Sequence, residues 1–269
     1  MELTDGRVAL AAAEAGADVV RRYFRTPVAH HAKEGTDFAT DADLESEETI
    51  RAVLSRLRPG DAQLGEEGGA SGPDSPRRWL IDPLCGTRNF AAGIPLVATN
   101  VALSVDGAVV AGASADPVLG ETYWFDDGGA RMRRGDEDTV LTPTVESMMV
   151  DVNLDGSRER LLRALGLLGD ARVSERFQIR VVSSTLGLAW VAAGRYAAYL
   201  TEGDLRDNVH FAAGIGLCRA AGCPVTDLDG HPVDTGQVDR PGRRRGLLAS
   251  ADEDTHAALL DVARDVLSV

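Results

Sequence analysis

The sequence predicts a layered α+β/α/β protein, on three observations. Helix-period and strand-period segments interleave along the chain without the regular βαβ spacing of a doubly wound sheet. The chain is 269 residues long and 44% apolar, enough to bury a sizeable core as one large domain or two closely packed halves. No internal repeat or low-complexity segment interrupts the mixture.

Residues 3–24 are alanine-rich with apolar positions at helical spacing, predicting an amphipathic helix that Thr26-Pro27 ends. Residues 43–57 predict a second helix, acidic at its start and basic toward its end (Arg51, Arg56, Arg58), as the helix dipole favours. Pro59-Gly60-Asp61 stops it. Residues 68–76 form a Gly/Ser/Pro loop before a strand at 79–81. Strands are predicted at 97–105, 108–115 and 121–125, the first two joined by an Asp106-Gly107 hairpin turn. Residues 126–138 are polar and glycine-containing, predicting an exposed loop or hairpin tip. A break at 138–144 divides the chain into an N-terminal half (1–140) and a C-terminal half (141–269). The second half predicts a strand at 148–152, a helix at 157–168 and a helix at 184–193 closed by Gly194. A strand at 197–200, a helix at 211–221 closed by Gly222, an Asp229-Gly230 turn, a strand at 247–249 and a helix at 254–267 follow.

A net charge of −14 and a pI near 4.8 argue against non-specific binding to nucleic acid or an anionic membrane, since both need a basic field. A small anionic substrate stays compatible, because a local site can oppose the global charge. The opening Met1-Glu2-Leu3-Thr4-Asp5 has neither a basic nor an apolar leader region, and no run approaches the length of a membrane span. The three cysteines, Cys85, Cys218 and Cys223, are odd in number and lack C-x-x-C spacing. That pattern fits a reducing cytoplasm, not a disulfide framework or a structural zinc site.

The chemistry centres on Trp79-Leu80-Ile81-Asp82-Pro83-Leu84-Cys85-Gly86-Thr87-Arg88-Asn89-Phe90. An apolar run ending in Asp-Pro, followed by a Gly-Thr turn, delivers a carboxylate from a strand end into a site. The segment resembles the W-I-D-P-x-D-G-T-x-N-F signature of the inositol monophosphatase family of metal-dependent phosphomonoesterases. Further segments resemble that family in order. They are Asp37-Phe38-Ala39-Thr40-Asp41-Ala42-Asp43 with Lys33 upstream, Gly65-Glu66-Glu67, residues 183–199, and His210-Phe211-Ala212-Ala213-Gly214 followed by Ala221-Gly222 and residues 227–234. Taken singly, each has a plainer explanation: helix-start carboxylates, a solvated turn, an inert buried thiol, a capping histidine. Their joint order over nearly the whole chain carries the resemblance.

The resemblance implies an α-β-α-β-α sandwich, a homodimer, and hydrolysis of a small phosphorylated metabolite with magnesium. It places a first Mg²⁺ on Glu66, Asp82 and the Leu84 carbonyl, because that ion takes hard oxygen ligands. It makes Asp43 and Thr87 the pair that orients the attacking water, and the backbone N–H groups of Gly86 and Thr87 a phosphate cradle. Ser183 and Thr201 would form a substrate wall.

The second metal position departs from the family pattern. Two of its three carboxylates are replaced, by Cys85 and His210, and both replacements disfavour Mg²⁺. Thr201 stands where the family usually has a sugar-contacting glutamate, which points away from myo-inositol phosphate itself. Arg88 replaces a small residue and offers a salt bridge to a phosphate or carboxylate. The stretch from Gly203 to His210 is two residues longer than the usual pattern, bringing Asp204 or Asp207 forward as replacement ligands.

Three readings follow. In the leading one the site is repurposed: Cys85 and His210 lie within a few ångströms as a thiolate–imidazole pair, or Asp82, Cys85 and His210 hold Zn²⁺. In the second, a Mg²⁺-dependent phosphomonoesterase survives on the first site with altered metal use. In the third, the fold binds an anionic metabolite without catalysis or serves as a subunit partner, and no metal is needed.

Overall fold

Helix α1 (Asp5–Tyr23) starts at Thr4, whose Oγ1 accepts the Arg7 N–H at 3.3 Å. Helix α2 (Asp41–Leu57) starts at Thr40, where Asp43 reaches back to accept the Thr40 N–H at 2.7 Å. Both helices pack on one face of an eight-stranded sheet through Val8, Leu10, Ala13, Ile50 and Leu54 against Trp79, Ile81, Val101 and Leu103. In chain order the strands of this sheet are β3 (Ala62–Gly65), β4 (Gly69–Ser71), β5 (Arg77–Cys85), β6 (Ala98–Val105), β7 (Ala108–Asp116), β8 (Glu121–Asp126), β9 (Gly129–Arg134) and β10 (Glu137–Val140). Their spatial order is β10-β9-β8-β7-β6-β5-β3-β4, antiparallel except where β3 runs beside β5. A separate hairpin pairs β1 (His30–Ala32) with β2 (Phe38–Thr40). This computed structural model describes residues 3–33, 35, 37–154, 166–202, 208–233 and 246–267.

The other face of the first sheet is covered by α5 (Leu186–Ala192) and α6 (Asn208–Ala220). These helices form the middle layer, because their opposite side meets a second sheet through Tyr199, Leu247 and Ala249. That sheet is ordered β12-β11-β13-β15-β14, from β11 (Met149–Asn153), β12 (Gln178–Arg180), β13 (Ala198–Thr201), β14 (Val225–Asp227) and β15 (Leu247–Ser250). Its outer face packs Val150, Val152, Leu200 and Leu248 against Val173 of α4 (Ala171–Ser174) and Leu259, Val262 and Ala263 of α7 (Glu253–Leu267). The result is the α-β-α-β-α sandwich, with α3 (Thr87–Ala91) a short helix at the end of β5. Alternation of strand residues decides which layer each meets. Trp79 and Ile81 face α1 and α2, whereas Leu80 packs with Ala102 against Val209, Ala212 and Ala213 of α6. Asp82, two residues beyond Leu80, inherits the α6 side.

Several expectations change. Residues 126–138 hold hairpin turns at 127–128 and 135–136, but most of the stretch is strand: Gly129–Arg134 and Glu137–Val140 are paired at a sheet edge. Their arginines conceal the pattern, since Arg131 stacks over Trp124 and Arg133 pairs with Asp138. Part of the 68–76 loop is strand β4, and β1, β2, β3, β12 and β14 are short strands that hydrophobic periodicity does not announce. Of the helix predicted at 157–168, residues 155–165 lie outside the described residues and 166–169 are helical. The Asp106-Gly107 turn has positive φ at both residues (51° and 86°), as its hairpin type requires. The chain passes from the first sheet to the second between Val140 and Met149. Buried Glu121 accepts from Tyr123 Oη on its own strand at 2.6 Å and ties the halves together by pairing with Arg195 at 2.7 Å. Among the described residues no helix is long and apolar enough to cross a membrane.

Candidate metal and phosphate site

Asp82 is wholly buried opposite Asn100 on β6, which in turn lies opposite Ser114 on β7. A polar seam follows that register. Ser114 Oγ donates to Asn100 Oδ1 at 2.8 Å, and Asn100 Nδ2 donates to Thr185 Oγ1 at 2.9 Å and to Asp82 Oδ2 at 3.3 Å. The second carboxylate oxygen, Asp82 Oδ1, is buried with no hydrogen-bond donor. A buried carboxylate oxygen without a donor is costly unless a cation completes it.

Glu66 stands beside Asp82 because its N–H bonds Ile81 O at 3.0 Å, extending the parallel β3–β5 pairing past the end of β3. Glu47 of α2 fixes the turn that follows, accepting the N–H groups of Glu67 and Gly68 at 2.7 and 2.8 Å. That carboxylate leaves no room for a side chain at residue 65, where a Cβ would lie 2.4 Å from it. Lys33 Nζ reaches in from the β1–β2 hairpin to Glu66 Oε1 at 3.0 Å and Glu67 Oε1 at 2.6 Å. Although burial works against its charge, these two carboxylates hold the Lys33 ammonium above its ordinary pKa. Burial and the neighbouring Asp82 charge push the Glu66 carboxyl upward.

His210, in the first turn of α6, completes the cluster. Its Nδ1 lies 3.0 Å from Asp82 Oδ2 and 3.9 Å from Glu66 Oε2. One ligand atom from each of Glu66, Asp82 and His210 lies within 4.8 Å of the other two. Cys85 is not in this set, so the ligands brought together are Glu66, Asp82 and His210, not the Asp82, Cys85 and His210 expected for Zn²⁺. The chain shifts register between Asp82 and Cys85, so the thiol packs against the core of the second half, and Sγ accepts the Thr185 N–H at 3.4 Å. The imidazole is paired with Asp82. Burial, reinforced by the Asp82 charge, pushes the Cys85 thiol well above its ordinary value, the reverse of an activated nucleophile.

Asp43 and Thr87 are in contact. Thr87 Oγ1 lies 3.0 Å from Asp43 Oδ1 and 3.1 Å from the Leu84 carbonyl, so one hydroxyl links the carboxylate to the strand end. Asp43 Oδ2 also accepts Thr40 Oγ1–H at 2.6 Å, yet burial outweighs these bonds and raises its carboxyl above the usual range. The Pro83 carbonyl at the register shift is held by Ser46 Oγ at 3.1 Å and Thr99 Oγ1 at 3.0 Å. Gly86 turns the chain into α3 with φ of 93°, and a Cβ there would sit 2.9 Å from the Leu96 carbonyl. Asn89 Nδ2 ties this turn across the halves, donating to Leu96 O at 2.9 Å and Ser183 O at 2.7 Å.

Arg88 is exposed beside the turn, its guanidinium carbon 5.7 Å from the centre of the Phe38 ring. Ser183 is partly exposed. Thr201 is wholly buried at the end of β13 and does not line an open wall. Asp204 and Asp207 lie outside the described residues. Sequence reasoning does not single out Asn89, Asn100, Ser114, Thr185 or Glu47. Asn100 carries one legible signal: an amide between Ala98 and Ala102 on one face of β6.

Comparison with known proteins identifies the family and the fold. The model of the inositol monophosphatase family matches residues 2–268. An inositol-1-monophosphatase from Mesorhizobium japonicum is 37% identical over 212 residues, 75% of this chain and 77% of that protein. The Nus factor SuhB of Pseudomonas aeruginosa is 32% identical over 244 residues, 83% of this chain and 85% of that protein. Among solved structures, the extragenic suppressor protein suhB from Bartonella henselae superposes with a TM-score of 0.82 at 28% identity, covering 96% of this chain and 97% of that one.

Proposed function

The chain belongs to the inositol monophosphatase family, and from that premise we propose that it is a phosphoric monoester hydrolase for a small phosphorylated metabolite, working through a divalent cation on Glu66 and Asp82. The observation that carries this reading is the buried, donorless Asp82 Oδ1 beside Glu66 and His210. Two crowded carboxylates with one oxygen unsatisfied fit a cation, and the Leu84 carbonyl at the same strand end is a further oxygen donor. When bound, a divalent cation stabilises phosphoryl charge and makes water a better nucleophile.

The chain's own residues divide the remaining work. The Asp43–Thr87 pair orients an attacking water: Thr87 Oγ1 gives its proton toward Asp43, which frees a lone pair to accept from the water. The raised Asp43 carboxyl is the better proton acceptor for being buried. Backbone N–H groups of Gly86 and Thr87 would receive the phosphate, with Arg88 adding positive charge at the rim. Asn89 holds that turn against Ser183, so the two halves are positioned together around the substrate. Cys85 serves as a small packed side chain.

The test is phosphate release from a panel comprising myo-inositol 1-phosphate, a hexose phosphate, a nucleoside monophosphate and an aryl phosphate, with Mg²⁺ or Mn²⁺ supplied. Turnover of at least one ester is expected, falling about 10²–10³-fold in Glu66→Gln. No release from any ester, with a melting temperature raised by inorganic phosphate, would identify a non-catalytic binder instead.

A further inference from the structure

We propose that His210 ligates the cation through Nδ1, making Glu66–Asp82–His210 a mixed nitrogen–oxygen centre that prefers first-row transition cations such as Mn²⁺ to Mg²⁺. The inference rests on reading this cluster as a metal centre and specifies which ions the centre takes.

Geometry is the first support. Two donors each about 2.1 Å from a shared ion stand about 3.0 Å apart at a right angle and about 4.2 Å apart when opposite. The Nδ1 separations from Asp82 Oδ2 and Glu66 Oε2, 3.0 and 3.9 Å, fall inside that range. The imidazole therefore already occupies a coordinating position relative to both carboxylates. Its backbone is fixed by α6, whose Val209 and Ala212 are buried against Leu80 and Ala102 of the sheet that carries Asp82.

The donor chemistry is the second support. Mg²⁺ gives up water reluctantly and is attracted chiefly by oxygen and negative charge. A neutral imidazole supplies neither, so exchanging a carboxylate for His210 weakens the pull on Mg²⁺. Transition cations recover part of that loss through the nitrogen bond. Two carboxylates remain, enough to balance a divalent charge, and the donorless Asp82 Oδ1 is independent of the histidine in calling for a cation. For Nδ1 to ligate, the ring proton sits on the other nitrogen, so the 3.0 Å approach of Nδ1 to Asp82 Oδ2 becomes that of two donors to one ion and no longer a hydrogen bond.

The experiment is pulsed electron paramagnetic resonance of Mn²⁺ bound to the full chain, once at natural abundance and once with ¹⁵N-histidine. We expect Mn²⁺ to bind with ¹⁴N modulation typical of a direct imidazole ligand, replaced by ¹⁵N couplings in the labelled protein. Competition should show at least a tenfold drop in the preference for Mn²⁺ over Mg²⁺ in His210→Asp. Mn²⁺ that binds in a Glu66-dependent manner without histidine coupling, or an unchanged preference in His210→Asp, would overturn the inference and leave the metal-centre reading standing. If Mn²⁺ binding is absent or indifferent to Glu66→Gln, both fall. The labelling measurement needs no substitution, so a variant that misfolds does not blunt it.

Discussion

Asp82→Asn is expected to lower kcat/KM on the best phosphomonoester by on the order of 10³-fold while the protein stays folded. The side chain is the one place where the polar seam, the imidazole and the cation position converge. Asparagine keeps the shape and can still accept from Asn100, so the structural bonds survive. What it removes is a negative charge and a donorless oxygen, the two properties that favour a cation and nothing else in the fold. The expected signature is a large fall in activity and in Mn²⁺ affinity with a melting temperature near that of the parent. A collapse in melting temperature with metal affinity preserved would show that Asp82 is a structural carboxylate.

Asp151→Asn is expected to act on stability and to do so only in one pH window. Asp151 is wholly buried on β11, with Oδ1 accepting the Val182 N–H at 3.0 Å and Oδ2 without a donor. Gly187 and the Tyr199 ring pack against it; a Cβ at Gly187 would lie 2.7 Å from Oδ2. Burial and then the Asp151 charge raise the phenol of Tyr196, which is also buried, and among the described residues no basic group bonds the carboxylate. Burial pushes the carboxyl up to about 7. The folded state therefore holds a proton that the unfolded chain releases near its ordinary pKa of about 4. Between about pH 4 and pH 7 the folded state binds more protons, so unfolding becomes progressively easier as pH rises and levels off above pH 7. Asparagine resembles the neutral acid and abolishes that slope. The variant should match the parent near pH 4 and exceed it by about 3–4 kcal/mol at pH 8, read as roughly 2–4 °C in melting temperature for each kcal/mol. Parallel stability curves for the two proteins from pH 4 to 8 would refute the assignment. The position matters because Val182 leads directly into Ser183 and Thr185, which contact the phosphate turn and the polar seam.

How far the site was legible in the sequence depended on where the partners lie along the chain. Asp82, Gly86 and Thr87 share one contiguous motif, and its strand-to-turn geometry follows from the residues themselves. The Asp43–Thr87 contact spans 44 positions and was reached only through the family order of motifs. Cys85 is the instructive case. Read as a string, it stands three residues from Asp82 and seems to share its site; the register shift on β5 turns it toward Thr185 instead. Nothing in residue spacing reports a bulge of that kind. His210 is named through the family order of motifs and paired there with Cys85, whereas its imidazole meets Asp82. Alternation along β5 puts Leu80 and Asp82 on the α6 side, so the carboxylate receives the imidazole. Asn100 escaped notice because a buried amide in an apolar strand looks like an imperfect repeat, and its partner Thr185 is 85 residues away. The edge strands β9 and β10 were missed for a related reason: their arginines bury aliphatic stems while keeping charge at the surface.

The central claim is that turnover belongs to the carboxylate–imidazole centre and not to the thiol. The most direct measurement is kcat/KM of Cys85→Ala on the best phosphomonoester, with the cation saturating. A value within about fivefold of the parent is predicted, because the thiol is packed, protonated and bonded to Thr185. A loss of about a thousandfold with cation binding and folding intact would contradict the account and restore Cys85 as the nucleophile.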